Sequence, residues 1–418
     1  MDSKFVAGNQ KGIKKNNRSL ILSMIFYNQD ITRKKLAQIT NLAPSTVSNI
    51  VNPLVEKEIL VETGLVKTEN GKRAATIAFN EENPVVIGVR IQRNFIKIGM
   101  FNLKGDILAE KKIEVKDFWN FENNVNKLLD LIKEFEEIIE KQKKQVINLG
   151  VATPGPIISS KNEIAFITNL PGWSNFNLKS YLNNKLNVEV YIEHDVNAAI
   201  LAEKYLGSHD KKDLIYISVD RGIGAGILSK NNLLKGVLQS AGEIGHTSIE
   251  YGGPKCECGN RGCLELYCST AKLLKRAKKH KAEFFSKNTK EDELTVKLIA
   301  EEAEQGNKTA KKLLRENAYY FNVGLLNLLN ILAPPLIIIG GEIQEAGDIW
   351  LNMVEKNFEK RALDHLVDKV KMKFSELPRS SSFYGAGIKA IDNAIKNPEK
   401  MYENNFCGKP LVKANNSE

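Results

Sequence analysis

The sequence predicts a small N-terminal winged helix-turn-helix followed by a larger α/β domain. Near the N-terminus, three segments with helical spacing of apolar residues precede two short strand-like segments. From residue 85 onward, apolar runs of strand length alternate with amphipathic helices, which is typical of α/β folds with mainly parallel or mixed sheets. A chain of 418 residues also exceeds the size at which one hydrophobic core keeps growing, so two or more folded units are expected.

The three N-terminal helices are predicted from apolar spacing and from their end signals. A first helix is expected over 17–28, where apolar residues recur at helical spacing. Thr32 is the predicted N-cap of a short second helix that ends at Ile39. After a turn, a third helix begins at Pro44 or the next residue and runs to about Glu58, since proline is tolerated in a first turn.

The strands are predicted from apolar runs and turn residues. Two strands at 59–66 and 75–79 flank an Asn-Gly dipeptide at 70–71, which is typical of a hairpin and indicates a wing. In the larger domain, strands are expected at 85–91, 96–101, 146–151, 188–192, 214–219, 225–228 and 336–339, with a helix near 123–144. The predicted domains are 1–80, 84–398 and a polar tail at 399–418, and the stretch from Lys396 onward is expected to be frayed or disordered.

Charge and hydropathy restrict the partners and the compartment. The formal net charge is +10, and residues 1–80 carry 12 Lys/Arg against 6 Asp/Glu, which suggests a polyanionic partner for the first domain. No stretch approaches 18 uncharged apolar residues, and the polar, basic N-terminus lacks the features of a secretory signal. We therefore predict a cytoplasmic protein.

The third helix is the predicted DNA-recognition helix. In a helix-turn-helix, the second helix of the pair enters the major groove, where small polar side chains reach base edges. The predicted base or phosphate contacts from this helix are Ser45, Thr46, Ser48 and Asn49. Basic residues expected at phosphates or the minor groove are Arg33, Lys34 and Lys35 before it and Lys72 and Arg73 at the wing tip. The alternative is a protein-interaction module.

A cluster of cysteines and one histidine predicts a structural zinc site. The set has the spacing His-x9-Cys-x-Cys-x4-Cys and comprises His246, Cys256, Cys258 and Cys263. Three thiolates and one imidazole complete a tetrahedral Zn²⁺ site without an open position for a catalytic water. The alternative is three unrelated buried thiols, and the remaining Cys268 and Cys407 are expected to be simple free thiols.

These motifs together resemble the ROK family, whose repressors and sugar kinases share an actin-like (ribonuclease H-like), two-lobed fold. The resemblance rests on Ala-Gly-Glu-Ile-Gly-His at 241–246, followed by the cysteine loop and Leu264-Glu265. Further matching segments lie at 150–156, 169–173 and 193–199. It extends to about Asn393, is nearest to the xylose and N-acetylglucosamine repressors, and implies a small lobe at about 84–195 plus 380–398 and a large lobe at about 196–379.

The resemblance also implies a sugar-binding cleft. The residues expected to contact the sugar are Gly155, Asn169, His194, Asp195, Glu243, His246 and Glu265, with His246 holding zinc through its other ring nitrogen. Carboxylates, amides and close backbone suit a ring of hydroxyls. The alternative for Glu243 and Glu265 is that they are solvated surface charges.

The segments that bind the nucleotide in the family's kinases are altered in this sequence. Arg90 stands where the kinases have the Asp of Asp-x-Gly-Gly-Thr, and Asp220 replaces the first Gly of a second phosphate loop. A carboxylate opposes phosphate, and phosphoryl transfer depends on positioning and charge stabilisation, so no catalytic residue and no enzyme activity are predicted although Asp195 remains at the catalytic-base position. Gly340-Gly341 is interpreted as a structural remnant of the adenosine side.

The predicted function is a sugar-responsive transcriptional repressor. It would bind near-palindromic double-stranded operator DNA as a homodimer or homotetramer, with a monosaccharide of the xylose, glucose or N-acetylglucosamine class as effector. Two alternatives remain: an active sugar kinase with a DNA-binding extension, and a repressor with a vestigial sugar pocket that a protein controls.

Overall fold

The computed structural model describes residues 10–28, 30–67, 73–115, 121–155, 157–158, 163–164, 176–280, 294–377, 381–402 and 410–413. The chain forms two compact units. The first comprises Met1–Thr153, Asn177–Glu193 and Ala386–Glu418, and the second comprises Pro154–Phe176 and His194–Gly385. Within the described residues, no helix is long and apolar enough to cross a membrane.

The first unit begins with the predicted winged helix-turn-helix. Its elements are α1 (Gln10–Tyr27), β1 (Ile31–Thr32), α2 (Arg33–Thr40), α3 (Pro44–Glu56), β2 (Leu60–Lys67) and β3 (Arg73–Phe79). The Thr32 side chain accepts a hydrogen bond from the Lys35 amide, which confirms the predicted cap of α2. Asn41 ends α2 in the left-handed conformation. The structure adds the short strand β1, which pairs with β3 and which the sequence did not predict.

The remainder of the first unit is built on a five-stranded sheet. Its strands are β4 (Val85–Ile91), β5 (Phe95–Asn102), β6 (Ile107–Glu114), β7 (Val146–Thr153) and β10 (Glu189–His194), in the order β10-β7-β4-β5-β6. Helices α4 (Phe121–Lys141) and α5 (Leu178–Lys185) belong to the same unit. Every residue of β4 is buried, which explains why the strand is apolar at every position except Arg90.

The second unit contains another five-stranded sheet in the order β13-β12-β11-β14-β15. These strands are β11 (Leu214–Val219), β12 (Ile223–Ser229), β13 (Asn232–Leu233), β14 (Leu336–Gly340) and β15 (Lys371–Phe374), and a separate pair is formed by β8 (Ile157–Ile158) and β9 (Glu163–Ile164). Within its described residues, the helices are α6 (Asp195–Leu206), α7 (Glu265–Cys268), α8 (Thr270–Lys279), α9 (Val296–Glu304), α10 (Lys308–Leu332), α11 (Gly347–Arg361) and α12 (Asp364–Val367). Short 3-10 helices lie at Ile244–His246 and Glu342–Ala346.

The two large sheets repeat one topology. In each, three consecutive strands form an antiparallel meander, and the first strand of the meander pairs in parallel with a later strand. The order β15-β14-β11-β12-β13 therefore matches β10-β7-β4-β5-β6 position by position. This duplication confirms the two-lobed, actin-like fold class.

The last helices correct the prediction for the C-terminal segment. Helix α13 (Ser381–Lys396) is followed by α14 (Glu399–Tyr402). Met401 and Leu411 are buried, and the Lys413 amide donates to the Lys185 carbonyl. The prediction of a frayed or disordered tail is therefore wrong for residues 399–402 and 410–413, because their apolar side chains pack against the first unit.

A buried carboxyl in the second unit predicts a pH dependence of stability. Glu203 accepts a hydrogen bond from the Ser375 hydroxyl. Burial raises the pKa of Glu203 above its ordinary value of 4.5, although the Ser375 hydroxyl and Lys373 act in the opposite direction. A carboxyl whose pKa rises on folding loses stabilisation as the pH rises from that ordinary value through the folded-state pKa.

Glu203→Gln removes this titration and keeps an acceptor for Ser375. We expect its advantage in Tm over the wild type to grow from pH 4.5 to pH 8, measured by thermal unfolding across that range. Glu376→Gln is a control for which the opposite pH dependence of Tm is expected, because Lys373 and Ser208 lower the pKa of the exposed Glu376. An advantage of Glu203→Gln that does not change with pH would contradict the prediction.

Candidate functional site

Helix α3 presents a polar face opposite its buried one. Val47, Ile50, Val51 and Leu54 are buried against the domain core. The predicted base contacts Ser45 and Asn49 are exposed, and Thr46 and Ser48 are half-buried. Asn52, which the prediction did not include, is also exposed. Its signal was present in the sequence, because positions 45, 49 and 52 lie on one face at helical spacing.

The basic residues around α3 differ in their contacts. Lys34, Lys35 and Arg73 are exposed, as phosphate-binding side chains need to be. Arg33 instead contacts other side chains of the same domain. Its guanidinium lies 2.8 Å from Glu62 Oε1 and donates a hydrogen bond to Asn52 Oδ1 over 3.2 Å. It ties α2 to α3 and β2 in this structure, and its predicted phosphate contact would require these bonds to open. The predicted wing-tip residue Lys72 lies outside the described residues.

The four predicted metal ligands converge. The ligand atoms of His246, Cys256, Cys258 and Cys263 all lie within 4.8 Å of one another. His246 Nδ1 is 3.7 Å from Cys256 Sγ, and Cys258 Sγ is 3.7 Å from Cys263 Sγ. The structure therefore brings together one imidazole and three thiols that could hold a metal ion.

Local backbone contacts hold the cysteine loop in this shape. The Cys256 amide donates to the Asn260 carbonyl, and the Gly262 amide donates to the Pro254 carbonyl. Gly262 has φ +66°, and a Cβ at this position would lie 1.8 Å from the Glu250 carbonyl oxygen, so only glycine fits.

The donor set suits a zinc ion. Burial raises the pKa of Cys256 and of Cys263, and the adjacent thiols raise the pKa of Cys263 further. Burial favours the neutral thiols, and three thiolates at this separation would repel one another. A divalent cation offsets this repulsion, and three sulfurs with one nitrogen match the closed, tetrahedral class of zinc sites.

The predicted sugar residues of the second unit cluster beside these ligands. His194 Nε2 is 3.2 Å from Asp195 Oδ1, and His194 Nδ1 is 3.8 Å from Glu243 Oε1. A Cβ on Gly155 would lie 2.7 Å from the His194 ring. His246 Nδ1 is 3.7 Å from Glu265 Oε1, so the last residue of the set joins the cluster through the metal ligand.

Five polar side chains and one glycine thus meet in one place, as the sugar-site prediction requires. Asn169, the seventh residue of that prediction, lies outside the described residues. The surface-charge alternative does not describe Glu243, whose Oε1 is buried and has no hydrogen-bond partner among the described residues. Its contact with a sugar stays a prediction.

The surroundings of Glu243 disfavour its ionised form. Burial raises its pKa above the usual value, and the charges of Asp195 and Glu265 act in the same direction, while His194 and His246 oppose it. A buried acceptor without a donor is costly unless a ligand supplies one. A water molecule or a ligand hydroxyl can act as such a donor.

The segment that replaces the second phosphate loop is filled by a carboxylate. Asp220 Oδ1 accepts a hydrogen bond of 2.7 Å from the Glu342 amide, and Oδ2 accepts one of 2.8 Å from the Ser218 hydroxyl. The Glu342 amide begins the 3-10 helix that follows Gly340-Gly341. The Asp220 carboxylate therefore occupies the first amide of that helix.

The strand that replaces the first phosphate loop carries a buried cation. Arg90 lies in β4 with 8% of its surface exposed, and its guanidinium stands over the Phe95 ring at 5.6 Å. A buried guanidinium therefore stands at the position where the sequence resemblance predicts the loss of an aspartate.

Comparison with known proteins identifies the family of the chain. The ROK family profile matches residues 86–392, which is more than half of the sequence. The chain belongs to the ROK family. A winged helix-turn-helix DNA-binding profile matches residues 16–61. Both findings confirm the family and the domain types that the sequence predicted.

Two curated relatives extend this similarity over nearly the whole ROK chain. The xylose repressor of Bacillus subtilis is 32% identical over 392 residues, covering 92% of this chain and 97% of the relative. The DNA-binding transcriptional dual regulator NagC of Escherichia coli is 28% identical over 376 residues, covering 90% of this chain and 92% of the relative.

Solved structures of the family share the fold. A ROK family transcriptional regulator described as a homologue of the E. coli MLC protein superposes with TM-score 0.79 at 24% identity, covering 93% of this chain and 99% of that one. A ROK glucokinase from Streptomyces griseus, in complex with glucose and AMPPNP, superposes with TM-score 0.62 at 25% identity, covering 72% of this chain and 98% of that one.

Proposed function

We propose that this ROK protein is a transcriptional repressor whose affinity for operator DNA is changed by a monosaccharide. The observation that carries the proposal is the combination of an exposed polar recognition helix with a sugar-type cluster next to a carboxylate-filled phosphate loop. Such a chain retains the means to bind DNA and a sugar while it lacks the means to bind a nucleotide. The names of its two relatives, a xylose repressor and the DNA-binding transcriptional dual regulator NagC, support the same function.

In this proposal, the sugar acts by binding one conformation better than another. Asp195 begins α6, and His194 immediately precedes it, so a ligand that bonds both side chains acts directly on the start of that helix. A ligand changes an equilibrium only through differential affinity for its states. D-xylose is the first candidate effector, and D-glucose and N-acetylglucosamine are the next.

We infer that the metal is a structural zinc held by His246, Cys256, Cys258 and Cys263. When bound, zinc supplies a cross-link that fixes the cysteine loop and the His246 ring. Since Nδ1 of His246 faces Cys256, its other ring nitrogen is left for a sugar hydroxyl. In this reading the metal orients a ligand-binding residue and takes no part in a reaction.

The second candidate function is a sugar kinase with a DNA-binding extension. The structural similarity to a glucokinase and the position of Asp195 favour it. The carboxylate of Asp220 argues against it, because it occupies the Glu342 amide and repels phosphate. We therefore propose that the protein is not an enzyme, and that it acts as a cytoplasmic homodimer or homotetramer on a two-fold symmetric operator.

The test uses the full-length protein and a duplex that it selects from a random DNA pool. We expect D-xylose, D-glucose or N-acetylglucosamine to change the operator Kd by roughly 5- to 150-fold, the usual range of allosteric coupling. Glu243→Gln should abolish this change while operator binding without sugar persists. ATP consumption with any of the three sugars would establish the kinase instead. Operator binding that none of the sugars alters would favour control by a protein partner.

A further inference from the structure

The short helix α14 packs against the DNA-binding head. Tyr402, its last residue, donates a hydrogen bond of 2.9 Å from its hydroxyl to the backbone carbonyl of Ile50, which lies in the recognition helix α3. The Tyr402 carbonyl accepts a hydrogen bond from the side chain of Lys57, the residue that follows α3. One residue from the far end of the sequence thus contacts α3 in its middle and at its end.

Helix α1 also contacts Tyr402 and the residue that follows α13. The guanidinium of Arg18 stacks over the Tyr402 ring at 3.6 Å from the ring centre. Lys15 donates to Asn397 Oδ1 over 2.7 Å, at the junction between α13 and α14. Met401, which precedes Tyr402 in α14, is fully buried. Burial raises the pKa of Tyr402, so its hydroxyl remains a neutral donor in the physiological range.

The bonded carbonyl lies next to the predicted base-reading residue. Pro53 within α3 has no amide hydrogen, so the helical hydrogen bond to the Asn49 carbonyl is missing at this turn. The neighbouring Ile50 carbonyl receives its additional donor from Tyr402. The backbone around Asn49 is therefore held partly by a residue from outside the DNA-binding head.

Helix α13 connects this contact to the sugar-bearing unit. The chain passes from the second unit to the first within α13, between Gly385 and Ala386. In the second unit, a Cβ on Gly385 would lie 1.8 Å from the Ala198 carbonyl oxygen of α6. In the first unit, a Cβ on Gly387 would lie 2.8 Å from the Phe101 ring. The backbone of α13 therefore lies directly against α6 in the second unit and against Phe101 in the first, so a displacement of either neighbour acts on α13.

We propose that Tyr402 is a positioning residue for the recognition helix, and that α14 passes changes at α6 to α3 through α13. The route begins at Asp195 in the first turn of α6, continues through Ala198 and Gly385, and ends at the bond between Tyr402 and Ile50. This inference rests on the proposed function for its direction, because the sugar is what would act on Asp195. The contact of Tyr402 with α3 does not depend on it.

The first test needs no sugar. In full-length Tyr402→Phe, the ring and the Arg18 contact persist while the hydroxyl is lost. We expect amide hydrogen exchange in α3 to be about three- to tenfold faster than in the wild type, as for the loss of one neutral hydrogen bond. Tyr251→Phe is the matched control, because the Tyr251 side chain is 98% exposed. Exchange in α3 that is equal in all three proteins would overturn the positioning role.

The second test measures coupling with D-xylose as the probe. We expect the factor by which D-xylose changes the operator Kd to be at least threefold smaller in Tyr402→Phe than in the wild type. The Kd for D-xylose alone should stay within twofold of the wild-type value. A weaker operator affinity with that factor unchanged would overturn the transmission and leave a merely structural contact. A wild-type protein whose operator affinity does not respond to D-xylose, D-glucose or N-acetylglucosamine would instead refute the proposed function, and the exchange test would still decide the role of Tyr402.

Discussion

Cys263→Ser should lower Tm by roughly 5–15 °C and abolish the effect of the sugar on operator binding. Cys263 is fully buried, and its sulfur is one of three that converge with His246 Nδ1. Loss of a structural metal removes several kcal/mol of folding free energy, and in a domain of about 200 residues each kcal/mol corresponds to about 2–4 °C. Removal of the metal also releases the His246 ring, which adjoins Glu265.

The measurement combines metal content with thermal unfolding. We expect one zinc per wild-type chain, less than about 0.2 in Cys263→Ser, and a fall in wild-type Tm when a strong chelator is added. Cys268→Ala is the matched control, because Cys268 is fully buried but lies outside the cluster. It should keep both its zinc and its response to the chelator. A wild-type protein without bound metal, or a Tm that the chelator does not change, would refute the zinc site.

Asn49→Ala should weaken binding to the selected operator by roughly 5- to 150-fold, the loss of one bidentate base contact. Asn49 is exposed on α3, so truncation leaves no cavity and Tm should change by less than about 1 °C. Affinity for the sugar should remain at the wild-type value. Fluorescence anisotropy with the operator and with unrelated DNA measures both the affinity and the specificity.

Lys35→Ala separates base reading from phosphate binding. Lys35 is exposed in the first turn of α2, and its loss should weaken binding to all DNA sequences alike. The slope of log Kd against log salt concentration should fall by about one, the value for one phosphate contact. Asn49→Ala should instead reduce the preference for the operator over unrelated DNA. If Asn49→Ala weakened operator and unrelated DNA by the same factor, α3 would not be the helix that reads the sequence.

Sequence patterns predicted secondary structure well where the residues of a single element carried enough information. Strand β4 is apolar at every position except Arg90 because both of its faces are buried, and its observed bounds equal the predicted ones. Strand β6 was missed, because its outer residues are exposed and charged and its apolar pattern is weak. The cap at Thr32 was predictable because it involves residues only three apart.

The contacts of the candidate site were also predictable only where the partners lie close together in the sequence. The metal cluster was predictable because His246 and the three cysteines lie in one short stretch whose glycines allow it to fold back. The interpretation of Arg33 as a phosphate contact missed its partners Glu62 and Asn52, which come from other elements. No pattern near Asp220 indicates that its carboxylate bonds the Glu342 amide, which is 122 positions away.

The sequence by itself determined the two kinds of domain, and it predicted the recognition helix and the metal ligands, because these depend on patterns of residues that are close in the chain. Only the tertiary structure decided that the two sheets repeat one topology, that the Asp220 carboxylate bonds the Glu342 amide, and that Tyr402 of the C-terminal segment bonds α3. The hydrogen bond between Tyr402 and Ile50 joins positions 352 apart. Periodicity reports which face of an element is buried but not what covers it, and the covering partner is set by how the chain returns to the core.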